Sequence, residues 1–161
     1  MFLKKIQDLF SKEDIPFAVV GGYAVAIHGV ARGTFDLDII TQLDEENLLR
    51  IEAALQSINY KSTIPISAKE LANNLEHYKM VKHLVAWNFV NLARQRESLD
   101  ILITEDIRDC AIFQAQTDFG KLPVISIEDL IRIKSKTQRS QDVEDVIALR
   151  KIQEKQGNSE K

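Results

Sequence analysis

The feature that most constrains the fold of this chain is an apolar strand running into two glycines, followed by a second strand with paired carboxylates. Phe17-Ala18-Val19-Val20 is an unbroken apolar run, and Gly21-Gly22 follows at once. After an interval of thirteen residues comes Asp36-Leu37-Asp38-Ile39-Ile40-Thr41. The first run reads as a buried strand, and the glycines make a tight strand-to-helix turn because they accept backbone angles that other residues resist. On a strand, positions i and i+2 point to the same face, which sets Asp36 beside Asp38. Two like charges side by side repel, and packing supplies no reason for them. A divalent cation does. Hard cations such as Mg²⁺ take carboxylate oxygen and are usually held by one or two carboxylates together with substrate phosphates. Asp100, within Ser98-Leu99-Asp100-Ile101-Leu102-Ile103, is a third acid in a similar setting and would complete a two-metal site for in-line phosphoryl transfer.

Composition narrows the rest. With 161 residues, 45% of them hydrophobic, the chain has enough apolar material for one core, so a single domain over residues 1–155 is expected. Residues 156–161 are polar and read as a disordered tail. A formal net charge of -3 argues against an extended nucleic-acid-binding surface and leaves room only for a local basic patch. The lone Cys110 excludes an internal disulfide and offers no zinc spacing. Met1-Phe2-Leu3-Lys4-Lys5 runs into an amphipathic pattern rather than a secretory leader, and Ile15 to Ile27 is too short and glycine-rich to span a bilayer. A soluble, cytoplasmic protein without membrane partners is expected.

Along the chain, Phe2, Leu3, Ile6, Leu9 and Phe10 repeat at helical spacing and Pro16 closes that helix. After the strand 17–20 and the glycine turn, a brief helix spans 23–28, a strand 37–41 and a helix 44–58, with Asp44-Glu45-Glu46 at its positive end. Ser67-Ala68-Lys69-Glu70 is a capping box opening a helix to about His77. A strand within 83–92 has Trp87 and Phe89 on one face, residues 93–97 turn a hairpin, and 99–104 is its partner. A helix over 106–114, a strand over 122–125 and two closing helices at about 127–137 and 141–155, capped by Ser126 and Ser140, complete the reading. The fold class is α+β (α/β mixed): a mixed sheet with packed helices and a C-terminal helical segment.

Taken together, Val20-Gly21-Gly22, the interval of thirteen residues and Asp36-Leu37-Asp38-Ile39 resemble the signature of the nucleotidyltransferase superfamily, whose polymerase domains include DNA polymerase β. Asp100 matches the third carboxylate expected on a later strand. The nearer resemblance is to small bacterial nucleotidyltransferases, including those of abortive-infection toxin systems. It rests on Gly21-Gly22-x-Ala24, His28-Gly29, Arg32, Thr34, Asp36 and Asp38, then on Ile127-Glu128-Asp129-Leu130-Ile131, Lys134, Arg139, Asp142, Asp145 and Leu149. The likeness implies two Mg²⁺ ions, or Mn²⁺, held by Asp36, Asp38 and Asp100, which are also the catalytic residues. It implies a nucleotide site that includes Gly21, Gly22, Arg32, Thr34, Lys134 and Arg139.

Several residues carry a second reading. Gly21 and Gly22 serve the turn, and their N–H groups at a helix N-terminus also suit a triphosphate. Asp100, opposite in alternation to Leu99 and Ile101, reads as a surface residue when taken alone. Arg32 suits either a carboxylate or a phosphate. His28, on an apolar helix, reads as a buried, satisfied histidine rather than a base. Arg132, Lys134, Lys136 and Arg139 form a basic run with no intervening acid, which describes a solvated helical face as well as a phosphate-contacting one. On either description, replacing Lys134 or Arg139 is expected to leave fold stability nearly unchanged. Trp87 and Phe89 read as core, and Cys110 as a small buried residue.

The expected function is metal-dependent transfer of a nucleoside monophosphate from a nucleoside triphosphate to a hydroxyl acceptor, with release of pyrophosphate. A tRNA end, a protein hydroxyl and a small molecule all remain open as acceptor. The alternative is a non-catalytic nucleotide-binding or antitoxin-like interaction protein of the same fold.

Overall fold

A computed structural model describes residues 1–94 and 96–159 of the chain. Gln95, in the turn predicted over 93–97, and residues 160–161 lie outside the described residues. Helix α1 (Phe2–Lys12) buries Leu3, Ile6 and Phe10, the stripe predicted from their spacing. Strand β1 (Phe17–Val20) is buried at every position. Helix α2 (Gly21–Ile27) starts on the first glycine, so the two glycines form its opening turn rather than a loop ahead of it. Strand β2 (Leu37–Thr41) follows. Helix α3 (Glu45–Ser57) is capped by Asp44, whose side chain accepts from the Asn47 N–H.

The middle of the chain departs from its sequence reading. Tyr60–Ser62 is an additional strand, β3. The helix predicted from Ser67 is broken into α4 (Ala68–Asn73) and α5 (Leu75–Met80). The break lies at Asn74, whose side-chain amide donates to the Glu70 carbonyl and competes with the helical ladder. Strand β4 (Ala86–Asn91) and strand β5 (Ser98–Asp106) form the expected hairpin. The helix predicted over 106–114 is absent. Asp106 instead closes a single 3-10 turn, Ile107–Asp109, by accepting from the Arg108 and Leu43 backbone N–H groups. Strand β6 (Ile112–Thr117) then pairs with β7 (Gly120–Ile125), which begins on a glycine at φ +106°. Helix α6 (Ile127–Lys134) carries the predicted Ser126 cap. Helix α7 (Ser140–Ser159) runs through 156–159, the stretch predicted as disordered tail, because Gln153-Glu154-Lys155-Gln156 are good helix formers.

The seven strands form one mixed sheet in the order β3-β4-β5-β2-β1-β7-β6, which bears out the α+β reading. Three adjacent strands decide what the fold brings together. β1 and β2 pair antiparallel with Val20 opposite Asp38, and β2 and β5 pair parallel with Asp38 beside Asp100. The end of β1, and with it the start of α2, therefore meets the beginnings of β2 and β5. Side chains that alternate with Asp38 and Asp100 (Leu37, Ile39, Leu99 and Ile101) are fully buried in the core, with Trp87 and Phe89. Helix α2 packs on α6, and α6 on α7, which carries the closing segment to this same edge of the sheet. No helix among the described residues is long and apolar enough to cross a membrane.

Candidate active site

One cavity of about 270 Å³ is lined by Gly21, Gly22, Arg32, Thr34, Asp36, Asp38, Asp100, Lys134 and Arg139, each of them singled out from the sequence. Val85, Leu102, Leu130, Ile133, Thr137 and Asp142 complete its wall. Residues from five separate stretches of chain thus meet at one place, and the geometry divides them into an acidic and a basic side.

The acidic side rests on the two glycines. Gly21 has φ +61°, and a Cβ on it would lie 2.0 Å from Asp38 Oδ2. A Cβ on Gly22 would lie 2.8 Å from the Thr34 side chain. Both positions exclude any side chain, because the Asp38 carboxyl and Thr34 already occupy that space. Burial, the neighbouring Asp100 carboxylate and Asp36 together push the Asp38 carboxyl up to about 7, against the opposing pull of Lys134 and a backbone hydrogen bond from Gly22. Asp36 stands one residue ahead of β2 and is exposed. Asp100 Oδ1 accepts a 2.6 Å hydrogen bond from the Asn88 side-chain amide.

The test of this side as a cation site is its donor set. Asp38 has the Asp100 and Asp36 carboxylates close enough to raise its pKa, and gathered carboxylate oxygens are what a hard cation neutralises, so the residues fit Mg²⁺. Among the described residues, however, no three His, Cys, Asp or Glu side chains are grouped so as to hold an ion by themselves. Asp36, Asp38 and Asp100 line the cavity together without forming such a group. Completion by substrate phosphates is the usual arrangement for this ion.

The basic side is held by acids from α7. Lys134 Nζ lies 2.8 Å from Asp142 and 2.8 Å from Asp145, and all three side chains are buried. Arg139 donates to Asp142 at 2.8 Å, and Thr137 Oγ1 donates to the same carboxylate at 2.5 Å. Arg32, from the loop ahead of β2, pairs with Asp145. Burial opposes the charge on Asp142, but hydrogen bonds from Arg139, Lys134 and Thr137 hold its carboxyl well below the usual carboxylate range. These pairs overturn the expectation that Lys134 belongs to a freely solvated face. Its relative exposure is 7%, and removing it takes one cation from two buried carboxylates, which keep only Arg139 and Arg32 as charged partners.

Against solved structures, the chain resembles the lincosamide antibiotic adenylyltransferase LnuA, lincomycin-bound, with a TM-score of 0.63 and 18% identity over 94% of this chain and 96% of that one. A putative nucleotidyltransferase from Thermotoga maritima matches with a TM-score of 0.58 and 21% identity, covering 95% of this chain and 91% of the other. The antibiotic-resistance factor ANT(2'')-Ia matches with a TM-score of 0.59 and 13% identity, covering 92% and 80%. The chain has the nucleotidyltransferase fold. No protein-family model matches it, and no curated protein does. The finer resemblance to abortive-infection toxins is not addressed by these likenesses.

Within this nucleotidyltransferase fold the basic run at the end of α6 and in the loop after it is divided. Arg132 and Lys136 turn away from Lys134 and pair with Glu105 on β5, Arg132 at 3.0 Å. His28 is the satisfied histidine expected: its Nε2 bonds the Ile125 carbonyl at 2.8 Å, and its ring lies 5.2 Å from that of Phe113. Trp87 and Phe89 pack edge to face, 4.6 Å apart, in the core. Cys110 is half-buried, its thiol pushed up by burial and by Asp129. Sequence reasoning did not single out Asn88, whose sequence surroundings carry no signal. It reached Asp142 and Asp145 only through the resemblance, although their spacing of three on a helix was a usable sign that both face α6.

Proposed function

We propose that the protein is a Mg²⁺-dependent nucleotidyltransferase that moves a nucleoside monophosphate from a nucleoside triphosphate to a hydroxyl acceptor and releases pyrophosphate. The observation that carries this reading is the meeting of all nine residues chosen from the sequence in one cavity, with Asp38 and Asp100 as register partners. Asp36 and Asp38 would hold Mg²⁺ together with the triphosphate, and Asp100 would share a second ion. Bound there, the metal supplies charge neutralisation on the leaving pyrophosphate and acidifies the attacking hydroxyl.

The remaining roles belong to the chain. Asp100 orients the acceptor hydroxyl and takes up its proton as the new P–O bond forms and the bond to pyrophosphate breaks. Gly21 and Gly22 leave bare backbone on the cavity wall, which lets the Asp38 carboxyl and Thr34 sit against the turn where the phosphates would bind. Thr34 offers a hydroxyl beside them. Lys134, Arg139 and Arg32 set positive charge on the far wall, where Asp142 and Asp145 hold them in place before substrate arrives.

For the acceptor we favour a small-molecule hydroxyl. The chain and the lincosamide antibiotic adenylyltransferase, whose name gives a small-molecule antibiotic as its acceptor, align over 94% and 96% of their lengths. The formal net charge of -3 points the same way. The test is pyrophosphate release with each nucleoside triphosphate and Mg²⁺ against pools of tRNA, protein and hydroxylated small molecules. Release driven by one small-molecule pool, and lost in Asp38→Asn, is expected. Release with tRNA alone would reassign the acceptor. Triphosphate binding without release in any pool would favour the non-catalytic alternative.

A further inference from the structure

Three polar side chains, exposed Thr63 and half-buried Asn88 and Ser98, lead to the third carboxylate, and the nucleotidyltransferase reading leaves them without a role. The Asn88 amide Nδ2 donates to Asp100 Oδ1 at 2.6 Å and to Ser98 Oγ at 2.9 Å. Its Oδ1 accepts from Thr63 Oγ1 at 2.8 Å, and its backbone carbonyl accepts from the Thr63 N–H at 3.0 Å. Both N–H donors and the oxygen of the amide are therefore engaged. Turning the amide over would set its carbonyl oxygen against the Asp100 carboxylate, so electrostatics permits one orientation only. Asn88 and Asp100 are cross-strand partners on β4 and β5, which fixes their separation through the backbone as well.

From this geometry we infer that Asn88, anchored by Thr63, is the positioning residue of the third carboxylate: it engages Asp100 Oδ1 and leaves Oδ2 as the oxygen for a cation and the acceptor hydroxyl. The inference rests on the proposed metal role of Asp100. An uncharged amide suits the task. Lysine or arginine there would compete with the cation for the carboxylate, and histidine would do so whenever protonated. An amide donates one hydrogen bond at any pH and brings no charge. Groups that orient metal-binding carboxylates in this way typically change metal affinity by about 10–100-fold when removed.

The test is Mn²⁺ titration, read by electron paramagnetic resonance in the presence of a non-hydrolysable ATP analogue, with unfolding midpoints measured in parallel. Wild type is compared with Asn88→Leu, Thr63→Val and Asp100→Asn. Asn88→Leu keeps the side chain's shape without its donors, and about 10–100-fold weaker Mn²⁺ binding is expected. Thr63→Val leaves the amide present but free to turn, and a smaller loss in the same direction is expected. A purely structural asparagine would lower the unfolding midpoint and leave Mn²⁺ affinity unchanged. If Asp100→Asn loses Mn²⁺ while Asn88→Leu binds it like wild type, the role of Asn88 is overturned and the metal reading stands. If Asp100→Asn itself binds like wild type, the metal reading falls and takes the inference with it. Should Asn88→Leu fail to fold, Thr63→Val decides: weakened binding supports the role, and wild-type binding refutes it.

Discussion

Lys134→Met removes a single charge from a place where two buried carboxylates depend on it. Methionine has nearly the length and volume of lysine, so the space is largely filled and the change is electrostatic. Lys134 Nζ is 2.8 Å from both Asp142 and Asp145, and the three side chains are at most 7% exposed. Breaking a buried pair by removing one partner costs about 3–5 kcal/mol, because the other charge is left uncompensated. Here Asp142 retains Arg139 and Thr137, and Asp145 retains Arg32, so the cost is reduced. A loss of about 2–4 kcal/mol is expected. Urea unfolding at pH 7 measures it. The sign of the pH dependence follows from Asp142, whose carboxyl is held low. Its stabilisation is present above the ordinary carboxylate value and fades as pH falls below that value, so the gap between variant and wild type narrows in acid. Neutralising the acids as well, in Lys134→Met with Asp142→Asn and Asp145→Asn, is expected to recover most of the loss. A loss under about 0.5 kcal/mol, the usual range for surface changes, would refute the reasoning, as would a triple variant no more stable than the single one.

Three further outcomes follow. The Asp38 carboxyl is raised from 3.8 to about 7, so the folded state prefers it protonated, and stability present below 3.8 is lost as pH rises through 7. Asp38→Asn is therefore expected to gain on wild type by about 1.4 kcal/mol per pH unit over that window, reaching about 4 kcal/mol. It should also lose the rise in melting temperature that Mg²⁺ and a non-hydrolysable triphosphate give wild type; paired melts from pH 5 to 8.5 check both. Gly21→Ala forces a side chain into positive φ and onto the Asp38 carboxyl, which predicts a loss of at least about 1–2 kcal/mol together with loss of triphosphate binding by calorimetry. His28→Ala strands the Ile125 carbonyl, which predicts about 1–3 kcal/mol of destabilisation with unchanged triphosphate affinity; a lost affinity would return His28 to the site.

What the sequence determined by itself was the local grammar of the site and the elements around it. Gly21-Gly22 could be read because only glycine fits where a backbone turns at positive φ against another side chain, and the structure supplies that side chain as Asp38. Strands β1 and β2, helices α1, α3 and α6 and the caps Ser67 and Ser126 were legible because apolar period and capping chemistry are local quantities. Residues 106–114 were misread because nothing local distinguishes a polar, β-branched helix from the turn and edge strand that pairing with β7 makes of it. The tertiary structure alone decided which acid meets which base. Lys134, Lys136, Arg132 and Arg139 look alike along the chain, yet two of them answer Glu105 on β5 and two answer Asp142 on α7. Asn88 meets Asp100 only through the register of β4 on β5. Electrostatic partnership depends on distance in space and on burial, and neither is a property of neighbours in sequence.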